Sequence, residues 1–306
     1  MKKKLPNKYK LNGGFFYNDD SLKVLKSKGF VKKYQNKIDL VFTSPPFPLI
    51  TPKKYKNRKG EDYINWFADY AEPLKKVLSK KGSIVIEIGN SWTPGYPTHA
   101  LIEVKALMKF MEKGGFHLCQ EFVWYNPAKL PGPAEWVTKY RERVKDSFTK
   151  IWWFAKTPRP HADNKQILTE YSKGMLKLLQ KKKYNSGKRA TGHNISTKGF
   201  FTRNKGAIPP NVFEDFDNFL RISNTNNVSQ YREYCLENNL PAHPARMPQE
   251  LVEFFVRFLT KPKSLILDPF AGSNTTGFVA SKLKRKWISI EKDINYIEGS
   301  KGWFVN

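Results

Sequence analysis

The residue types best suited to chemistry lie in one short stretch near the start of the chain, residues 38–47. Residues 38–42 are mostly apolar and β-branched or aromatic, which is typical of a strand buried in a sheet. Ser44 follows, and then Pro45 and Pro46, which end the strand because they fix φ and donate no backbone hydrogen bond. The pattern predicts a rigid loop with a hydroxyl, a carbonyl and an aromatic ring at the carboxyl end of a strand, where ligands bind in open α/β sheets. Taken alone, the stretch fits an ordinary turn equally well.

A second loop, near the other end of the chain, favours the chemical interpretation. Strand-like residues 265–267 lead into Asp-Pro-Phe-Ala-Gly-Ser-Asn-Thr-Thr at 268–276, ahead of a predicted helix. Gly272 permits close approach of a ligand to the backbone, and the unpaired N–H groups of a helix N-terminus bind a phosphate or a carboxylate. Glu291 ends the next predicted strand. Its spacing from Asp268 along the sequence suits an acidic residue that accepts hydrogen bonds from ribose hydroxyls. Because the Gly-Lys-Ser/Thr of a Walker loop is missing, S-adenosylmethionine fits this loop better than ATP.

Strands and helices alternate around both loops, which predicts a parallel α/β sheet. The apolar spacing from Glu61 to about residue 78 predicts one amphipathic helix ended by Gly82, followed by a buried strand at 83–88. Glu87 interrupts the apolar run of that strand, and a buried carboxylate is costly unless it is paired or functional. We therefore treat it as a candidate catalytic residue, although a position at the wet end of the strand is an equal alternative. Further helices are predicted at 101–111 and 251–259, and further strands at 117–124, 148–155 and 287–290.

Composition points to a globular protein with an anionic partner. Lysine and arginine outnumber aspartate and glutamate by 54 to 27, a formal net charge of +27. Such an excess is typical of proteins that bind a polyanion such as DNA, although solvated lysine surface also contributes to it. No apolar run approaches the roughly 20 residues of a membrane span, and no apolar signal region follows the basic N-terminus. We expect no membrane association, a cytoplasmic location, and reduced thiols at Cys119 and Cys235, whose spacing does not suit a metal site.

The alternation of strands and helices stops between residues 157 and 242. Cations alternate there with aromatic residues, a mixture that suits contact with phosphates and bases, although a solvated insertion has a similar composition. The residues concerned are Lys181, Lys182, Lys183, Tyr184, Lys188, Arg189, His193, Lys198, Phe200, Phe201, Arg203 and Lys205.

The two loops together resemble the paired motifs of the exocyclic-amino DNA methyltransferases, and they are most similar to the N4-cytosine branch. Residues 243–248, His-Pro-Ala-Arg-Met-Pro, are similar to the cofactor-side motif of that family, and residues 192–195 resemble its variable region. The catalytic loop precedes the cofactor loop, as in the β-type motif order. The resemblance implies a Rossmann-like, S-adenosylmethionine-dependent α/β fold with permuted motif order and an inserted target-recognition region. Its parts would be a catalytic part at 1–156, the target-recognition region at 157–242, and a cofactor-binding part of the same domain at 243–306.

The resemblance also implies roles for individual residues. The Ser44 side chain and the Pro45 carbonyl would accept the N–H bonds of an exocyclic amine, and thereby raise the electron density on its nitrogen. Pro46 would keep the loop stiff, Phe47 would stack on a base extruded from the duplex, and Glu87 would take up the proton, directly or through water. Cofactor contacts are expected from Asp268, Phe270, Ala271, Gly272, Ser273, Asn274, Thr275, Glu291 and Pro244.

Three other functions compete with N4-cytosine methylation. Methylation at cytosine C5 requires a thiolate, and neither cysteine follows a proline as in that family, so it is excluded. Adenine N6 methylation remains a rival, but its loops usually read Asp-Pro-Pro-Tyr, and Ser44 and Phe47 depart from that pattern. A basic DNA-binding protein without transfer activity is disfavoured because both loops keep their chemical residues. We expect a site-specific enzyme acting on double-stranded DNA in a prokaryotic cell, with a separately acting restriction endonuclease as a further candidate partner.

Overall fold

The computed structural model of this chain describes residues 7–48, 58–126, 129–181, 186–196, 202–213 and 230–305. The strands in these residues are β1 (Asn7–Leu11), β2 (Gly14–Asn18), β3 (Ile38–Thr43), β4 (Leu78–Ile88), β5 (His117–Tyr125), β6 (Phe148–Ala155), β7 (Gly187–Lys188), β8 (Asn194–Ile195), β9 (Val212–Phe213), β10 (Leu265–Asp268) and β11 (Lys286–Glu291). The α-helices are α1 (Ser21–Lys26), α2 (Lys28–Tyr34), α3 (Gly60–Ala68), α4 (Ala71–Val77), α5 (Ile102–Gly114), α6 (Lys173–Lys181), α7 (Gln230–Glu237), α8 (Gln249–Leu259), α9 (Thr275–Lys282) and α10 (Ile294–Gly299). A π-helical turn covers Glu135–Lys139, and short 3₁₀ turns cover Asn164–Gln166 and Ser300–Trp303.

Within the described residues, one sheet of nine strands has the order β1-β2-β11-β10-β3-β4-β6-β5-β9. Strands β2, β11, β10, β3 and β4 run parallel to their neighbours in this series, and β6 returns antiparallel between β4 and β5. Strands β7 and β8 form a separate antiparallel pair. The predicted α/β architecture is confirmed, and the sheet is mostly parallel, with antiparallel pairing at β1–β2, β4–β6 and β6–β5.

Strand β3 is buried on both faces, as its continuous apolar sequence indicates. Ile38 and Val41 pack into one hydrophobic cluster, together with residues of α1 to α5. Leu40 and Phe42 pack into a second cluster on the opposite face, together with residues of α8 and α9. The helices therefore cover both faces of the sheet and hold the carboxyl ends of its parallel strands at one edge.

Strands β3 and β10 are direct neighbours at the centre of the sheet, with Leu40 opposite Ile266 and Val41 opposite Leu267. The helix that follows β3 packs on one face, and the helix that follows β10 packs on the other. In open α/β sheets, a crevice forms at the point where consecutive connections leave on opposite faces, and ligands bind there. The topology thus brings the two chemical loops to the same crevice.

The prediction of one helix from Glu61 to about residue 78 was wrong. Two helices, α3 and α4, are separated at Asp69 and Tyr70. The reason is Pro73, which lacks an N–H and whose ring would clash with the carbonyl four residues earlier, at Asp69. The helix would have to end before that point and start again, as it does.

Gly82 was also misassigned as the end of a helix, because it lies within β4. The pairing of β4 with β3 shifts between Ile38 opposite Leu78 and Leu40 opposite Ser83, so β4 bulges at this point. A Cβ at Gly82 would lie 2.8 Å from the carbonyl oxygen of Ile38. Gly82 therefore permits a close strand contact in an irregular strand. The other predicted strands and helices were found with boundaries within a few residues.

The segment between residues 157 and 242 contributes both to the sheet and to packing near the C-terminus. Strand β9 adds to the edge of the main sheet beside β5, and α7 packs against the 3₁₀ turn Ser300–Trp303. The division of the chain at 157 and 242 stays a prediction. Several of the predicted DNA-contacting residues lie outside the described residues, namely Lys182, Lys183, Tyr184, Lys198, Phe200 and Phe201. In the part of the chain that is described, no helix is both long and apolar enough to cross a membrane.

Candidate active site

The Ser-Pro-Pro-Phe loop and the Gly272 loop are joined through the carboxylate of Asp268. Thr43, the last residue of β3, donates from Oγ1 to Asp268 Oδ1 at 2.8 Å. The same oxygen accepts the backbone N–H of Phe270 at 3.0 Å, and Oδ2 accepts the hydroxyl of Thr276 at 2.7 Å. Asp268 is buried, and burial raises its pKa, although these hydrogen bonds act in the opposite direction. The two loops are therefore neighbours, and Asp268 fixes their relative position.

Ser44 and Glu87 form a short hydrogen bond at the carboxyl ends of β3 and β4. Ser44 Oγ donates to Glu87 Oε2 at 2.5 Å. Glu87 is only 5% exposed, so the alternative of a carboxylate at a wet strand end is excluded. Burial raises the pKa of Glu87 to about 7, whereas the Ser44 hydrogen bond and the positive charge of Lys129 lower it. A carboxyl group that titrates near neutral pH is suited to accept a proton during a reaction.

The rest of the Ser-Pro-Pro-Phe loop is held against the sheet. Pro45 is buried, and Pro46 and Phe47 are partly buried. A Cβ at Gly89 would lie 2.7 Å from two carbon atoms of the Phe47 ring, so the ring rests directly on the backbone that follows β4. The absence of a side chain at Gly89 therefore sets the position of the Phe47 ring.

The loop that follows β4 is fixed by two carboxylates that sequence reasoning missed. Ser91 donates from its backbone N–H and its hydroxyl to Glu103 Oε2, at 3.1 and 2.6 Å. Asp146 Oδ2 accepts Asn90 Nδ2 at 2.9 Å and Trp92 Nε1 at 2.8 Å. Neither acid lies in a recognisable motif, and only their contacts across the fold reveal their roles.

Lys129 is a third residue that sequence reasoning did not identify. It is partly buried, and Nζ donates to the carbonyl oxygen of Phe148 at 3.3 Å, at the start of β6. Burial lowers its pKa, while the carboxylates of Asp146 and Glu87 raise it. Lys129 is therefore a cation whose field reaches the candidate proton acceptor. The only sequence signal was a lysine in a proline-rich stretch beside a predicted strand.

The Gly272 loop is closed by Glu291 from the end of β11. Glu291 Oε2 accepts the backbone N–H of Gly272 at 2.8 Å, and Oε1 accepts the N–H groups of Lys292 and Asp293 at 2.8 and 2.9 Å. Burial raises the pKa of Glu291, against the effect of these hydrogen bonds. Gly272 has φ +49°, and a Cβ there would lie 2.9 Å from Nε2 of His243. The loop thus has no side chain at its tightest point, where the imidazole of His243 covers it.

Three predicted cofactor residues, Ser273, Asn274 and Thr275, have buried side chains that build the loop from inside. Asn274 has φ +63°, and its Oδ1 accepts the hydroxyl of Ser289 at 2.6 Å. The hydroxyls of Ser273 and Thr275 lie 3.1 Å apart. Contact of these residues with a cofactor remains a prediction, and their backbone at the start of α9 is the part best placed to make it.

The remaining predicted cofactor residues are distributed around this loop. The Phe270 ring is partly buried against Trp66 and Tyr70, with ring centroids 5.7 and 5.1 Å apart. Ala271 is buried, and its N–H donates to the carbonyl of Ile290 at 3.1 Å. Pro244 is exposed, next to His243. The structure therefore brings the predicted site residues other than Pro244 to adjoining strand ends or to the loops that follow them, in two groups joined by Asp268.

Comparison with known proteins connects this arrangement to DNA methylation. A family model described as DNA methylase matches residues 38–302. The chain is 40% identical over 300 residues to the Type II methyltransferase M.PvuII of Proteus hauseri, with 97% of this chain and 85% of that protein covered. It is 26% identical over 285 residues to the Type II methyltransferase M.BglII of Bacillus subtilis, with 92% of this chain and 66% of that protein covered.

Two solved structures resemble the fold. The PvuII DNA methyltransferase (cytosine-N4-specific) matches with a TM-score of 0.74 and 36% identity, covering 97% of this chain and 88% of that one. The M1.HpyAVI–SAM complex matches with a TM-score of 0.53 and 19% identity, covering 95% of this chain and 98% of that one. The second likeness is one of fold alone.

Proposed function

Because the chain belongs to the DNA methylase family, we propose that it transfers a methyl group from S-adenosylmethionine to the N4 amine of a cytosine in DNA. The observation that carries this proposal is the Ser44–Glu87 hydrogen bond, in a Ser-Pro-Pro-Phe loop next to the Asp268 loop. The choice of cytosine N4 is supported by the similar solved structure described as cytosine-N4-specific. The predicted methyltransferase fold and family are confirmed.

The residues of the Gly272 loop fit S-adenosylmethionine. Gly272 presents backbone without a Cβ, in a left-handed conformation that suits glycine. Glu291 lies at the end of β11, where Oε2 has only one hydrogen-bond donor among the described residues and retains capacity for a ribose hydroxyl. The start of α9 and the Phe270 ring flank the same loop. When bound, S-adenosylmethionine supplies a sulfonium methyl group as the electrophile.

Ser44 and Pro45 would prepare the target amine. The amino nitrogen of cytosine is a poor nucleophile because its lone pair is delocalised into the ring. Since the Ser44 hydroxyl proton points to Glu87, the lone pairs of Oγ remain available to accept one N–H of the amine. The Pro45 carbonyl, next in the same loop, would accept the other N–H. Both acceptors would draw the nitrogen lone pair out of conjugation.

Glu87 would receive the proton that the methylated amine loses. The Ser44 hydroxyl would accept a proton from the positively charged, methylated nitrogen while its own proton passes to Glu87 Oε2. The methylated amine then becomes neutral, and Glu87 becomes a neutral carboxylic acid. A pKa near 7 allows Glu87 to be ionised before the transfer and protonated after it. Phe47, resting on Gly89, would stack on the extruded base and hold it at the amine acceptors.

Nucleoside analysis tests this function directly. The protein is incubated with unmethylated genomic DNA and isotopically labelled S-adenosylmethionine, and the DNA is then digested and separated by mass spectrometry. We expect label in N4-methylcytosine, loss of the label with Ser44→Ala, and no loss with Ser281→Ala, a serine on the outside of α9. Label in N6-methyladenine would contradict the base assignment. DNA binding without any label would favour the DNA-binding protein without transfer activity.

We further propose that the modification protects DNA from a separate restriction endonuclease. The support is the similarity to proteins named Type II methyltransferases. DNA from cells that express the chain should resist cleavage by an endonuclease of matching specificity once the modified sequence has been mapped. Cleavage at fully modified sites by every nuclease of that specificity would contradict a protective role.

A further inference from the structure

The segment that joins β5 to β6 lies beside the candidate catalytic residues. We call residues 129–147 the β5–β6 segment. Strand β6 runs antiparallel to β4, with Ile151 opposite Glu87 and Lys150 opposite Ile88. The end of the segment therefore lies just beyond the carboxyl end of β4, where Glu87 meets Ser44.

Both ends of the β5–β6 segment are attached near Glu87. At its end, Asp146 accepts hydrogen bonds from Asn90 and Trp92, which lie in the loop directly after β4. At its beginning, Lys129 donates to the carbonyl of Phe148 at 3.3 Å, and its charge acts on Glu87. The segment is thus anchored to the catalytic region at two points.

Leu130, next to Lys129, is 83% exposed although it is a large apolar residue. The backbone on either side of it is braced: the N–H of Lys129 donates to Asn126 O at 3.2 Å, and that of Asp146 donates to Gly132 O at 3.3 Å. Pro131 follows directly and restricts the backbone further. Single exposed apolar side chains are common on protein surfaces, so exposure alone does not mark Leu130. What distinguishes it is its position two residues before Gly132, whose carbonyl accepts the N–H of Asp146, the residue that holds the loop directly after β4.

The surroundings of Leu130 favour a nucleic acid as the partner. The β5–β6 segment carries exposed cations at Lys139, Arg141, Arg143 and Lys145. Its Trp136 and Tyr140 rings are stacked, with centroids 5.4 Å apart. Cations that contact phosphates, combined with an apolar side chain that enters between bases, are the elements with which proteins open a DNA stack.

We infer that Leu130 is a wedge that enters the duplex beside the target cytosine and fills the space that the extruded base leaves. The inference rests on the proposed function, because the gap that this wedge would fill exists only when the target base is extruded. The position of Leu130 follows from the hydrogen bond between Gly132 and Asp146, because Asp146 also binds Asn90 and Trp92 in the loop directly after β4. A filled gap slows the return of the base and lengthens its stay at Ser44.

Two DNA duplexes that differ only opposite the target cytosine test this inference. One is fully paired at the mapped recognition sequence, and the other has an abasic site opposite the target, which removes the pairing partner. For Leu130→Ala we expect kcat/KM to fall at least about tenfold on the paired duplex and less than about twofold on the abasic duplex. Leu130→Met, which keeps an apolar wedge, should restore methylation of the paired duplex to within about threefold of the unmodified protein.

Two further variants serve as controls. Leu236→Ala removes a leucine that is 69% exposed on α7 and should not change either rate. Val144→Ala removes the other strongly exposed apolar side chain of the β5–β6 segment, 87% exposed, and should have a smaller effect than Leu130→Ala.

Several results would overturn the inference. They are an equal loss on both duplexes with Leu130→Ala, no loss on the paired duplex, or an equal loss with Val144→Ala. A change in self-association of the Leu130→Ala protein with unchanged methylation would assign the leucine to a protein contact instead. If the unmodified protein methylates neither duplex, the proposed function fails before any variant is compared.

Discussion

Glu87 is the residue at which burial and chemistry are most closely linked. Among the residues that the structure describes, it has one hydrogen-bond donor, the Ser44 hydroxyl, and burial raises its pKa to about 7. For Glu87→Gln we expect kcat to fall by about 10²-fold or more, because the amide cannot accept the proton. In the unmodified enzyme, kcat should rise with pH through about 7, since only the ionised carboxylate is active. Steady-state methylation rates between pH 5.5 and 9 measure both effects.

The control for this prediction is Glu253→Gln, which removes a partly buried carboxylate on α8 that pairs with Arg257. It should leave kcat and its pH dependence unchanged. If Glu87→Gln kept full kcat, or if the acidic limb of the profile survived in the variant, Glu87 would not be the proton acceptor.

The same carboxyl group should lower the stability of the fold at alkaline pH. Its pKa is about 7 in the folded protein and near the ordinary 4.5 after unfolding, so between these values the folded state binds more protons. The free energy of unfolding therefore falls as pH rises through this range. Glu87→Gln removes the titration and should stabilise the protein by up to about 3 kcal/mol at pH 8, and by less at pH 5. Urea unfolding at both pH values measures the difference, and an equal effect at the two would contradict it.

Gly272 is required for two reasons that can be separated. Its φ of +49° disfavours any residue with a Cβ, and a Cβ would lie 2.9 Å from the His243 imidazole. Gly272→Ala should cost about 1–2 kcal/mol from the backbone conformation alone, and more from the contact with His243. In a His243→Ala background, we expect only the first cost to remain. Unfolding free energies and S-adenosylmethionine affinities of the two single variants and the double variant complete this cycle, and strictly additive effects would show that the contact is unimportant.

At the scale of elements, the joint between β3 and β10 holds the two halves of the site together. Thr43→Val keeps the shape of the side chain but removes the hydroxyl that donates to Asp268. The buried carboxylate then loses one of its three donors, and we expect a loss of about 1–3 kcal/mol in the free energy of unfolding. Because the loops also lose their shared anchor, the KM for S-adenosylmethionine should rise.

Thr43→Ser, which keeps the hydroxyl, is the matched control for this joint. It should retain most of the stability and nearly all of the cofactor affinity. If Thr43→Val raised neither the KM for the cofactor nor the urea sensitivity, the Asp268 contact would be incidental to the alignment of the loops.

Sequence reasoning worked best where local patterns and long-range contacts agree. The apolar runs of β3 and β10, and the proline and glycine residues that follow them, identified both chemical loops. The family resemblance implied that the two loops act at one site. It failed at Pro73 and Gly82, where one proline divides a helix and one glycine serves a bulged strand. Both errors arose because the helical spacing of apolar residues continues past Pro73 and towards Gly82. The spacing alone does not show where the helix stops.

Residues that act through contacts distant in sequence were not predictable at all. Asp146 lies 56 positions from its partner Asn90. Lys129 belongs to no recognisable sequence motif. Their roles arise because β6 returns antiparallel beside β4 and carries the β5–β6 segment to the end of that strand. A rule based on sequence spacing describes one helix or strand at a time, whereas these contacts join β4, β6 and the β5–β6 segment.

At the scale of the whole molecule, the net charge of +27 must be distributed around a site that itself contains buried acids. Asp268, Glu87 and Glu291 occupy the carboxyl edge of the parallel strands and are shielded from solvent or half-buried. The cations lie mainly on the surface, and they include the exposed lysines and arginines of the β5–β6 segment. The surface charge therefore favours DNA binding, while hydrogen bonds to carboxylates organise the interior of the cleft.

This separation predicts that salt acts on DNA binding and not on the chemical step. If the enzyme contacts on the order of six phosphates, its DNA affinity should fall by about 10³-fold between 50 and 200 mM salt. At saturating DNA, kcat should change little, because Ser44, Glu87 and Asp268 interact through short, buried contacts that salt screens weakly. Fluorescence anisotropy with labelled duplex gives the affinity, single-turnover methylation gives the chemical rate, and cofactor binding without DNA is the control. A chemical rate that fell in parallel with affinity would place the surface cations in the catalytic step and would contradict the division between surface and cleft.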